Sequence, residues 1–119
     1  MDLKPVYWVG TAKEDLLEFP RSVVREFGRA LTIAQMGGTH PAAKPLKGFH
    51  GAGVLEIVEN FDRNSFRAVY TVKFAGAVYV LHAFQKKSKR GIATPKAEID
   101  LMKTRLERAR AHHAQHCAR

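Results

Sequence analysis

The stretch from Leu81 to Gly91 reads LHAFQKKSKRG, an apolar run that passes within three residues into Lys86, Lys87, Lys89 and Arg90 with no acid among them. Cations at this density call for an anion, and phosphate is the simplest: arginine offers a planar fork of donors and lysine a mobile point charge. Other residues of chemical interest stand nearby in the sequence, Glu56 in LEI, Arg67 in FRAVY, and His82 and Phe84 just ahead of the cations. Cutting RNA requires a base for the 2′-hydroxyl, positive charge on the phosphorane and a proton or charge for the leaving oxygen. Arg67 suits the second task. Glu56, His82 or a lysine whose pKa is depressed by neighbouring cations suits the others, and Phe84 offers a base a ring to stack on.

Each of these residues also has a plainer use. Arg67 is equally a cross-strand partner of Glu56 or Asn60, Glu56 a partner of Lys73, His82 a half-buried strand histidine, Phe84 a ring capped by the C-terminal helix, and Lys86 to Arg90 a solvated charge run. The tail HHAQHC holds two i, i+4 pairs, His112 with His116 and His113 with Cys117, but they lie on neighbouring helix faces and do not supply a convergent set, so no metal site is expected. No phosphate loop, dinucleotide fingerprint, hydrolase elbow or zinc-protease motif occurs, and no cofactor is expected.

The elements that must position these side chains read as follows. Val6 to Val9 is a first strand, Thr11 caps a short helix over residues 13–18, and Pro20 opens a second helix with Val24, Phe27, Leu31 and Ala34 on one stripe. Residues 37–53 are a Gly- and Pro-rich loop, long enough to suggest a functional one. Strands over 54–61, 66–74 and 77–85 form an antiparallel meander. Thr94 and Pro95 then start a helix with Ile99, Met102, Leu106 and Ala109 on its apolar stripe.

With DRNS as a four-residue turn, Tyr70 pairs with Ile57 and Arg67 with Asn60. With Ala75-Gly76 at the second tip, Tyr70 pairs with Leu81, Ala68 with Ala83 and Arg67 with Phe84. One face then carries Leu55, Ile57, Phe61, Tyr70, Val72, Tyr79 and Leu81 as the core under the helical hairpin. The other gathers Glu56, Val58, Asn60, Arg67, Val69, Thr71, Lys73, His82, Phe84 and Lys86.

Composition agrees with a nucleic-acid partner. Residues 1–65 carry 8 Lys and Arg against 8 Asp and Glu, residues 66–119 carry 12 against 3, so the whole net charge of +9 belongs to the second half. At 119 residues, 45% hydrophobic, the chain is read as one domain spanning 1–119, with 111–119 as a frayed tail. The single cysteine, Cys117, permits no intrachain disulfide and fits a reducing, cytoplasmic setting. No apolar run is long enough for a membrane span and no secretory leader is evident.

The runs PLKGF and VLEIVENFDRNSFRAVYTVKFAGAVYVLHAFQKKSKRGIATPKAEIDLMKTRL resemble the HigB branch of the RelE-like toxins of type II toxin-antitoxin systems, a phage-derived toxin family, over about residues 5–110. The resemblance implies an α+β, RelE-like microbial ribonuclease fold: an N-terminal helical hairpin on a small, mainly antiparallel sheet, plus a C-terminal helix. It also implies a metal-independent endoribonuclease that cuts mRNA on the ribosome and is neutralised by a helix-turn-helix antitoxin. By position it assigns Arg67 and Glu56, with Lys86 and Lys87, to catalysis and Lys47 to RNA binding. His82 joins the catalytic candidates, and Lys44, Phe84, Lys89 and Arg90 the RNA-binding ones. The family's C-terminal tyrosine or histidine has no counterpart, since Phe84 lies in the nearby place, and residues 111–119 fall beyond the resemblance. The alternatives are a nonenzymatic RNA- or ribosome-binding module and an inactive phage-derived relative.

Overall fold

A computed structural model describes residues 2–51, 53–86 and 94–116. Strand β1 (Val6–Trp8) leads through Gly10, whose φ of 59° turns the chain, into helices α1 (Ala12–Leu17) and α2 (Arg21–Gln35). Pro20 precedes α2 as its cap, in extended conformation, rather than standing inside its first turn. A two-residue strand, β2 (Lys44–Pro45), interrupts the long loop. Strands β3 (Val54–Phe61), β4 (Asn64–Thr71) and β5 (Val78–Lys86) follow, then helix α3 (Lys96–His116). The sheet order is β1-β5-β4-β3-β2, with β1 parallel to β5 and the other pairs antiparallel.

The first hairpin departs from the expected register. Asp62 and Arg63, at φ of 51° and 67°, make a two-residue turn whose backbone twist suits paired strands, so β4 begins at Asn64. Tyr70 therefore faces Leu55, not Ile57, and Arg67 faces Val58, not Asn60. The shift is of two residues, and a period of two leaves every side chain on the face assigned to it.

The second hairpin pairs Arg67 with Phe84 and Ala68 with Ala83 as expected, then a bulge between Val69 and Tyr70 sets Tyr70 against Val80 instead of Leu81. One extra residue on β5 switches the facing of what lies before it. Tyr79 and Leu81, expected beneath the helical hairpin, join the opposite core instead. Phe61 at the hairpin tip and Val72 beyond β4 are exposed rather than core.

Two cores result, one on each sheet face. The α1/α2 side buries Leu16, Val23, Phe27, Leu31, Ile57, Tyr70 and Val80, while α3 covers Val69, Tyr79, Leu81 and Phe84 with Met102, Leu106 and Ala109. Helix α3 runs on past Ala111 to His116, where His112 Nδ1 meets the Tyr79 hydroxyl at 2.7 Å and His113 Nε2 donates to the Ala75 carbonyl at 2.8 Å. Among the described residues no helix is long and apolar enough to cross a membrane.

Candidate functional site

Alternation along β3, β4 and β5 brings Glu56, Arg67 and Lys86 to one face, and β2 adds Lys44 directly opposite Glu56. The Arg67 guanidinium donates from one nitrogen to both carboxylate oxygens of Glu56, at 3.3 and 3.2 Å, and both side chains are largely buried. Thr94, the residue expected to cap α3, sends its hydroxyl to Glu56 Oε2 at 3.1 Å. The carboxylate is thus aimed by two strands and the entry to α3, and Glu56 pairs with Arg67 rather than with Lys73.

Beside this pair lies a cleft of about 370 Å³ between the β2 segment and the start of α3, lined by Lys44, Pro45, Leu46, Lys47, Glu56, Thr94 and Ile99. Lys44 and Lys47 are exposed at its rim. Lys86 is 8% exposed, and its ammonium is held below the usual lysine pKa, first by desolvation and then by the Arg67 guanidinium, with Glu56 pulling the other way. A lysine so placed gives up its proton more readily than one in water. Lys87, Lys89, Arg90 and Cys117 lie outside the described residues.

His82 and Phe84 do not stand on an open surface. They are 6% and 9% exposed, their rings stacked 4.9 Å apart, and Phe84 belongs to the core beneath α3. The reading in which the C-terminal helix caps Phe84 is the one the fold adopts. Arg105 donates to the Leu81 carbonyl at 2.9 Å and to His82 Nδ1 at 3.2 Å, which leaves His82 Nε2 as the N–H donor to Glu98 Oε1 at 3.1 Å. The same guanidinium reaches the Thr11 hydroxyl at 3.3 Å, and that hydroxyl bonds Asp15 at 2.7 Å. This chain clamps α1, β5 and α3 together, with His82 inside it.

Sequence reasoning missed Arg105, and gave Thr94 as the cap of α3 rather than as a partner of Glu56. A signal for Arg105 existed: it falls within the apolar stripe of α3, between Met102, Leu106 and Ala109, where a charge needs a buried partner. At the far end of α3 the rings of His112 and His116 lie 4.4 Å apart, tilted by 34°, but among the described residues no group of three His, Cys, Asp or Glu is placed to hold a metal ion.

The architecture defines a class first. It is the RelE fold: the chain matches a mutant of the E. coli toxin RelE in the free state with a TM-score of 0.56 at 13% sequence identity, over 90% of this chain and 98% of that one. The toxin-antitoxin complex RelBE2 from Mycobacterium tuberculosis matches with a TM-score of 0.47 at 17% identity, over 74% of this chain and 97% of that one. By sequence, residues 14–107 match the family described as Phage derived protein Gp49-like, and the chain belongs to that family. No curated protein matches it.

Proposed function

We propose that this protein is the toxin of a type II toxin-antitoxin pair, of the HigB kind, and acts in the cytoplasm as an endoribonuclease on mRNA held by the ribosome. The observation that carries the reading is the row Lys44, Glu56, Arg67 and Lys86, drawn from four strands of a RelE-like fold onto one face beside a cleft of about 370 Å³. In this scheme Glu56 takes the proton of the 2′-hydroxyl, the 2′-oxygen attacks phosphorus, and Arg67 stabilises the charged phosphorane. Lys86 protonates the departing 5′-oxygen, leaving a 2′,3′-cyclic phosphate on one fragment and a 5′-hydroxyl on the other. Lys44 and Lys47 hold the flanking phosphates. No step requires a metal. A helix-turn-helix antitoxin with acidic or apolar segments would neutralise so basic a protein.

The test is induction in bacteria with mapping of mRNA ends, wild type against Arg67→Lys, which keeps the charge and loses the fork. New 5′-hydroxyl ends that fall by about 100-fold in the variant support the scheme. Growth arrest without new ends would mark a nonenzymatic blocker of the ribosome, and no arrest an inactive relative.

A further inference from the structure

The cleft at Glu56 is not the only basic hollow along α3. Between the loop residues Gly48 to His50 and the middle of α3 lies a second one, also of about 370 Å³, lined by Lys73, just past β4, and by Lys103 and Arg110 of α3. Both hollows share the same two walls. Lys44 to Lys47 face Ile99 in the first, and Gly48 to His50 face Lys103 to Arg110 in the second. The walls come together at Gly48, where a Cβ would stand 3.7 Å from Ile99 Cγ2.

All three cations are exposed, and two of them, Lys73 and Arg110, are held by their surroundings. Gly53 presses on the stem of Lys73, since a Cβ at that glycine would lie 2.9 Å from the lysine Cβ, and the Lys73 N–H is tied to the Thr71 hydroxyl at 3.0 Å. The stem is fixed while the ammonium reaches water. Lys103 and Arg110 are seven residues apart on α3, hence on one face and about 10 Å apart along the axis. Arg110 lies 5.3 Å over the ring of Phe74, which sets its plane. The rings of Phe49 and His50 line the same hollow. Glu107 is the one acid among the lining residues; it touches Arg110 Nε at 3.3 Å and is largely exposed.

We propose that this second hollow is an RNA-backbone site that carries the strand leaving the cleft at Glu56, with Lys73, Lys103 and Arg110 on its phosphates and Phe49 or His50 against a base. The proposal rests on the ribonuclease reading, because its place next to that cleft along α3 and the flanking rings favour RNA over an acidic protein segment.

Fluorescence anisotropy with 2′-O-methyl oligouridines, which cannot be cut at the 2′-oxygen, tests it. For an oligonucleotide of about 12 nucleotides, the triple variant Lys73→Ala, Lys103→Ala and Arg110→Ala should bind about 100-fold more weakly near 0.1 M salt. Its slope of log K against log salt should be shallower by about 2, the value for three lost phosphate contacts on a single strand. Glu107→Gln should bind several-fold more tightly than wild type. An oligonucleotide of about 4 nucleotides, too short to span both hollows, should not distinguish wild type from triple variant, and Arg29→Ala on the far side of the molecule should bind both like wild type. An unchanged slope and affinity for the longer strand overturns the proposal, as does a polyglutamate peptide whose binding is lost in the triple variant while RNA binding is kept. Cleavage with an unchanged slope sinks this site alone; a changed slope in a protein that cuts nothing sinks the ribonuclease reading and leaves the site standing.

Discussion

Glu56 and Arg67 solvate one another in a place that water reaches poorly. Truncating Arg67 to alanine takes the guanidinium from the carboxylate and should cost about 3 kcal/mol in urea unfolding, much of it restored in the double variant with Glu56→Gln. Loss of activity in Arg67→Ala alone would therefore mix folding with chemistry, which is why Arg67→Lys is the cleaner probe. Lys86 offers the opposite signature. Its folded-state pKa lies below the unfolded value, so between the two the unfolded chain binds more protons and stability rises with pH as the lysine discharges. Lys86→Met should accordingly raise the melting temperature at neutral pH, flatten that alkaline rise and abolish RNA cleavage. A variant that melts earlier than wild type would mean that the ammonium is a net stabiliser.

At the scale of elements, the β3–β4 turn and the α3 clamp carry strain and cohesion respectively. Arg63 sits at a φ of 67°, a conformation that costs a side chain roughly 1 kcal/mol, so Arg63→Gly should raise the urea midpoint by the equivalent of about 1 kcal/mol with the slope unchanged. Arg105→Met should cost about 3 kcal/mol, since it strands the Leu81 carbonyl and His82 under α3. These elements also show what could be read in advance. The limits of β3 and the partnership of Arg67 with Phe84 followed from alternation and a short turn. The Glu56 and Arg67 pairing survived a mistaken turn length because an error of two residues preserves parity. The bulge at Leu81 left no trace in the pattern, because the run from Val78 to Leu81 is apolar whichever way it faces. Alternation also assigns a face without saying what covers it, so His82 and Phe84 were placed on the correct side but beneath a helix. Arg105 alone, inside its apolar stripe, announced that α3 had a buried polar partner.

Across the whole molecule, the two cores lie back to back on one sheet, and the strands that fill one fill the other. Phe27→Ala on the α2 side and Met102→Ala on the α3 side should each lower the stability by about 2–5 kcal/mol while leaving a single calorimetric transition. Two separate transitions would mean that α3 and its core unfold alone. The charge asymmetry has a spatial meaning at this scale. Lys73, Lys103 and Arg110 of the second half line the hollow beside the middle of α3, while Lys44 and Lys47 of the first half line the cleft at Glu56.

The position of β1 bears on how the chain comes into being. Val6 pairs with Val78, and strand order places β1 on β5 alone. During synthesis the first strand has no partner until β5 has left the ribosome, a wait of roughly 4–15 s at ordinary elongation rates. The carboxylate at position 56 then waits further for Thr94, and Arg105 for its helix. On a nascent chain the row at Glu56 is therefore assembled late, after β1 has found β5 and the entry to α3 has emerged.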